Sequence, residues 1–183
     1  MMDIGFVHGR FQLFHNDHLE YALAAKRECK VLIVGITSPN NTLLKYEGID
    51  PHRSNSLANP FTYFERFQMI KNSLLGAGLK REEFEIVPFP IEDPSSLHNY
   101  IPLSTTSFFT IYDEWGEEKL RRLGELGYSV SVLWRNREKK ISSTTIRELI
   151  VKGQKWSHLV PPAVYNYVRD NKLDERILKQ HSS

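Results

Sequence analysis

Val31, Leu32, Ile33, Val34, Gly35 and Ile36 follow one another without a polar residue. A strand with one wet face alternates, whereas an unbroken apolar run belongs to a strand covered on both faces. A shorter apolar run occupies residues 4–7. Between the two lie residues 18–28, with Leu19, Ala22, Leu23 and Ala25 at helical spacing. Strand, helix, strand at this separation is a parallel crossover. The alternation continues along the chain. The pattern predicts a helix over 62–75 with Phe64, Phe67, Ile70 and Leu74 on one face. Strands follow over 84–88, 107–112 and 128–134, with helices over 117–126 and about 143–152. A last helix starts at Pro161 or Pro162, since proline suits a first turn, and runs to about Asn171. This is an α/β pattern, a doubly wound parallel sheet. Ligands of such sheets bind beyond the carboxyl ends of the strands, which puts residues 9–18, 37–60 and 112–115 on one rim.

The length of 183 residues suits one domain. We read 1–183 as a single domain, with an α/β core over 1–153 and a C-terminal helical cap over 154–183. The 24 Lys and Arg nearly balance the 22 Asp and Glu, so no global charge draws the chain to nucleic acid or to a membrane surface. The lone Cys29, read as a half-buried helix residue, cannot form an internal disulfide. No apolar run approaches a membrane span, and the first residues lack a secretory pattern. A cytoplasmic enzyme or binding protein is expected. Trp156, Tyr165 and Tyr167 lie in a late segment of helical spacing. That segment either packs on the sheet or makes a subunit contact, which leaves a homo-oligomer open. Residues 179–183 read as a frayed tail.

Chemistry concentrates in two places. Gly9, Arg10, Phe11 and Gln12 lead into His15 and His18 at the start of the first helix. A helix N-terminus offers amide donors and partial positive charge to phosphate. Histidines three apart share a helix face, and with Arg10 they supply donors that converge on a polyphosphate. The alternative is that they are surface or capping residues. The second place is Ser142, Ser143, Thr144 and Thr145, followed by Arg147. One hydroxyl caps a helix, and Thr145 with Glu148 fits a capping box. Four exceed what capping needs, so the surplus is available to phosphate, with Arg147 as a clamp. Elsewhere, Pro60 biases Asn59 away from helix, and Thr62 with Glu65 forms another capping box. Glu65 and Arg66 therefore read as structural, while Asn59 is a candidate for ligand contact. Tyr100 or His98 is suited either to stacking on a flat ring or to packing its own loop.

Three segments together resemble the nucleotidyltransferase superfamily that carries an HxGH motif and a C-terminal ISSTxxR motif. They are residues 9–18, residues 59–62 with Glu65 and Arg66, and residues 141–147. The branch most similar is the archaeal-type nicotinamide-mononucleotide adenylyltransferases. The resemblance implies a Rossmann-like α/β fold with C-terminal helices. It also implies transfer of a nucleoside monophosphate from a nucleoside triphosphate to a phosphorylated small molecule, releasing pyrophosphate. On it, His15, His18 and Arg147 are catalytic, and Gly9, Arg10, Phe11, Gln12 and Ser142 through Thr145 bind nucleotide. Asn59, Tyr100, Tyr112 and Trp115 fall to the acceptor or base. Mg²⁺ enters with the triphosphate, and no resident metal site is expected. The favoured pair is ATP with nicotinamide mononucleotide, giving NAD. The alternatives are a cytidylyltransferase using CTP and a phosphate or phosphonate acceptor, or a nucleotide-binding regulator without turnover. Two departures stand out. Asp17 replaces the motif's glycine, adding bulk and negative charge. Residues 111–116 carry two carboxylates and two aromatics where an asparagine-rich turn is expected.

Overall fold

A computed structural model describes residues 1–39, 58–112, 114–135 and 140–182. Residues 40–57, most of the long polar loop, lie outside the described residues, as does Asp113 in the 111–116 segment. Two compact units emerge, each from three interleaved segments. Unit one comprises Met1–Gly9, Glu20–Thr37 and Leu79–Lys140. Unit two comprises Arg10–Leu19, Ser38–Gly78 and Ile141–Ser183. The described strands are β1 (Met2–Gly9), β2 (Cys29–Thr37), β3 (Phe84–Phe89), β4 (Thr106–Ile111) and β5 (Ser129–Arg135). The described helices are α1 (Asn16–Glu28), α2 (Tyr63–Gly76), α3 (Glu114–Glu125), α4 (Ser143–Val151), α5 (Pro162–Asp170) and α6 (Leu173–Ser182).

Unit one holds the sheet. Its five strands are all parallel, in the order β3-β2-β1-β4-β5. The order reverses at β1, the doubly wound arrangement expected of the alternating pattern. One face is an apolar cluster of Phe6, Ile33, Phe89, Phe109 and Ile111, closed by Leu123 of α3 and by Tyr128. The Tyr128 ring meets Phe6 edge-on at 5.4 Å, and its hydroxyl donates to the Ile101 carbonyl at 2.9 Å. Polar satisfaction and apolar burial therefore coincide at this residue. Elsewhere in the sheet, Tyr21 donates to the Phe108 carbonyl. Cys29 is the first residue of β2 and fully buried, not a helix residue, and burial pushes its thiol up. Close approach requires Gly5, since a Cβ there would enter the Phe108 ring.

Unit two is helical. Thr62 caps α2 with a complete capping box: Thr62 Oγ1 accepts the Glu65 N–H, and Glu65 accepts the Thr62 N–H. The buried side of α2 is Arg66, Met69, Ile70, Ser73 and Leu74. The predicted stripe began at Phe64, yet Phe64 is 62% exposed. Turning Arg66 inward, where three carbonyls await it, rotates Phe64 outward. In its last turn, α2 has no basic residue, and α5 packs along it. The tail expected to fray from residue 179 continues a helix through Ser182: α6 packs on α4 and α5, with Leu173 and Ile177 buried four residues apart. Lys172, at φ +54°, breaks the chain from α5. Arg169 pairs with Asp174, and Arg176 grips Glu65 with two hydrogen bonds of 2.9 and 2.6 Å. Burial alone would raise the Glu65 carboxyl, but Arg176 and the Thr62 amide hold it below the usual range. No helix among the described residues is long and apolar enough to cross a membrane.

The Gly5 contact sets an expectation. Gly5→Ala should destabilise the protein by about 1–3 kcal/mol through overpacking against Phe108. Urea unfolding measures it as a lower midpoint at unchanged slope, and an unchanged midpoint would show that the Phe108 ring yields freely.

Candidate active site

Most of the residues singled out from the sequence fall in unit two, and the structure draws them together. The His15 carbonyl accepts the Leu19 N–H at 3.0 Å, closing the first turn of α1. Three-residue spacing then stacks the two imidazoles, with centroids 3.5 Å apart and planes 19° from parallel. His15 is buried, and its N–H donates to His18 Nδ1 at 3.3 Å. A ring nitrogen that accepts leaves the proton of a neutral imidazole on the other nitrogen, here Nε2 of His18. The Phe11 ring stands edge-on to His18 at 5.0 Å and to Phe14 at 5.5 Å. Phe11 is itself held at φ +52°, an unusual conformation for a bulky residue. That strain sits within the motif loop, where strained backbone most often serves function.

Three contacts stitch this loop to α4. Asp17 Oδ2 accepts the Ile141 N–H at 3.0 Å. Ser143 Oγ donates to the Leu13 carbonyl at 2.9 Å, and Arg147 donates to the Gln12 carbonyl. The hydroxyl-rich turn and the histidine pair thus belong to one locality. The cap of α4 is Ser142, whose Oγ accepts the Thr145 N–H at 3.0 Å, rather than the Thr145 and Glu148 box read from sequence. The other hydroxyls are engaged as well. Ser142 and Thr145 hydroxyls lie 2.8 Å apart, and Thr144 Oγ1 accepts from Arg147 at 3.2 Å. What α4 offers an anion is therefore its first-turn amides and dipole more than spare hydroxyls. Arg147 is 8% exposed. Burial, and then repulsion from Arg10, lower its guanidinium to about 10, still protonated at neutral pH. Two like charges held within reach of each other favour an anion between them.

Other side chains hold the frame. Gln12 makes a reciprocal pair with the Phe61 backbone, donating to its carbonyl at 3.1 Å and accepting its N–H at 2.9 Å. Its amide positions the loop. Asn59, two residues earlier, is buried. Arg66 is fully buried and donates to the carbonyls of Arg10 and Ser38 at 2.9 Å each and of Thr62 at 3.3 Å. Gly9, Tyr100, Tyr112 and Trp115 belong to unit one. Gly9 ends β1, Trp115 lies in the first turn of α3, and Tyr100 and Tyr112 are 40% and 44% exposed. Sequence reasoning passed over Asp17 as a tether, although an acid in a glycine slot two residues after a histidine was its visible sign. No group of three metal-ligating side chains occurs among the described residues.

The cytidylyltransferase-like family model matches residues 6–149. The chain belongs to this family. A phosphonoformate cytidylyltransferase of Streptomyces viridochromogenes is 44% identical over 94% of this chain and 94% of its own. A nicotinamide-nucleotide adenylyltransferase of Saccharolobus solfataricus is 32% identical over 96% and 95%. Among solved structures, a bifunctional NMN adenylyltransferase/ADP ribose pyrophosphatase from Francisella tularensis superposes with a TM-score of 0.70 at 19% identity. That match covers all of this chain and 54% of the other, so this chain spans about half its length and shares its fold. The cytidylyltransferase-like chain is a nucleotidyltransferase, and the Rossmann-like α/β sheet expected of it is present.

The Asp17 tether makes its own prediction. Asp17→Gly should lower stability by about 1–2 kcal/mol, as for a hydrogen bond to a charged group, and Asp17→Asn by less. Equal or higher urea midpoints for Asp17→Gly would contradict the tether.

Proposed function

We propose that this nucleotidyltransferase is a cytidylyltransferase that joins CMP from CTP to a small phosphonate or phosphate acceptor. The observation that carries the transfer chemistry is the stacked histidine pair stitched to the N-terminus of α4, with Arg10 and Arg147 beside it. The choice of CTP over the ATP favoured from sequence is supported by the 44% identity to the phosphonoformate cytidylyltransferase, against 32% to the archaeal adenylyltransferase. ATP with nicotinamide mononucleotide is the second reading, and it rests on those archaeal relatives.

In the proposed reaction an acceptor oxygen attacks the α-phosphorus of CTP. The new P–O bond forms as the bond to the bridging oxygen breaks, and pyrophosphate leaves with that electron pair. No enzyme nucleophile is required, so the protein supplies position and charge. His18 Nε2–H donates to an oxygen on which charge accumulates, and His15 sets the ring's tautomer and plane. Arg10, Arg147 and the first turn of α4 hold the β- and γ-phosphates. Mg²⁺ would enter as part of the triphosphate substrate and would neutralise some of its charge. Asp17 is engaged with the Ile141 amide, which removes the motive for reading it as a block to turnover.

Pyrophosphate release with CTP or ATP, crossed with phosphonoformate or nicotinamide mononucleotide, tests this. CTP with phosphonoformate should give the highest kcat/KM. A higher value for ATP with nicotinamide mononucleotide would overturn the choice of nucleotide, and no release from any pair would overturn transfer. His18→Ala should lower kcat by about 10²–10³-fold, the usual effect of removing one donor to developing charge, with little change in stability.

A further inference from the structure

His8 was not singled out in the sequence, yet it occupies an unusual place in unit one. It is the penultimate residue of β1, at the carboxyl end of the sheet. Its ring stacks on Phe89, the last residue of β3, at 4.8 Å and 29°. It meets Phe109 of β4 edge-on at 5.5 Å. Its Nδ1 is buried with no hydrogen-bond partner among the described residues. Ser107, paired across the sheet with Phe6 and so on the same face, has a buried hydroxyl with none either. Buried polar atoms are nearly always paired, and exceptions call for an explanation such as a ligand. Lys119 of α3 is near enough for its charge to act on the ring. Burial, and then Lys119, hold the imidazole neutral by lowering it from 6.5 to about 3. A neutral imidazole beside an ammonium group offers a hydrogen bond and a positive field together, which suits an anion.

Resting on the cytidylyl-transfer reading above, we propose that His8 and Lys119 form the subsite for the second anionic group of a compact acceptor, such as the carboxylate of a phosphonocarboxylate. His8 Nδ1–H donates to that group, and Lys119 balances its charge. His8 is a positioning residue.

Calorimetric titration of phosphonoformate into the protein saturated with a non-hydrolysable CTP analogue tests the subsite without turnover. His8→Leu and Lys119→Met should each weaken phosphonoformate binding by about tenfold or more, with binding of the CTP analogue unchanged. His8→Asn, whose amide nitrogen takes the place of Nδ1, should retain most of the affinity. Lys119→Met and His8→Asn keep the test decisive if His8→Leu does not fold. Wild-type affinity in Lys119→Met, or loss in His8→Asn equal to that in a folded His8→Leu, would overturn the proposal. So would a wild-type protein that does not bind phosphonoformate. Pyrophosphate release, measured in parallel, separates the two readings. Binding that depends on His8 and Lys119 without release would support an anion subsite there while ruling out phosphonoformate as the transfer acceptor.

Discussion

A guanidinium removed from water must find acceptors or destabilise the fold, and Arg66 is removed completely. It finds them on three backbone carbonyls, those of Arg10, Ser38 and Thr62. Charge-assisted bonds of this kind are strong and directional. They fix the path of the chain on entering the motif loop, after β2 and at the cap of α2. From that anchor the site follows. With Arg10 pinned by its carbonyl, Gln12 clamped to Phe61 and Asp17 tied to Ile141, little freedom remains for His15 and His18. Glu65, beside Arg66, closes the cap of α2 and grips Arg176 of α6. One residue of α2 thus organises the loops while its neighbour holds the C-terminal helix.

The same logic separates what could be read from the sequence from what could not. The sheet was legible because parallel strands buried on both faces need apolar runs, and residues 31–36 display one. The histidine pair was legible because three-residue spacing at a helix start leaves one geometry. The cap of α4 was misplaced by three residues, since four successive hydroxyls all satisfy the same local rule and only Ser142 has extended backbone. The exposed face of α2 was misjudged because an arginine outranked a phenylalanine for the interior, which only its three distant acceptors explain. α6 was missed because its stability lies in long-range pairs, Arg176 with Glu65 above all, more than in local periodicity. His8 escaped notice because its environment is made by β3, β4 and α3, none of them adjacent in sequence.

A triphosphate needs concentrated positive charge and amide donors, and in the proposed reaction these come from the motif loop and α4, both in unit two. Asp17 shows how a departure from a motif can be absorbed. The carboxylate that would repel phosphate is turned onto the Ile141 amide, and in doing so joins the start of α1 to the segment that leads into α4.

In the proposed reaction the stacked imidazoles and the first turn of α4 share one polyphosphate. A crystal structure of the protein with CTP and Mg²⁺ tests it most directly. The β- and γ-phosphates should lie within hydrogen-bonding distance of both His18 Nε2 and the amides of Ser143 or Thr144. A triphosphate that touches only one of these two segments, or neither, would contradict it.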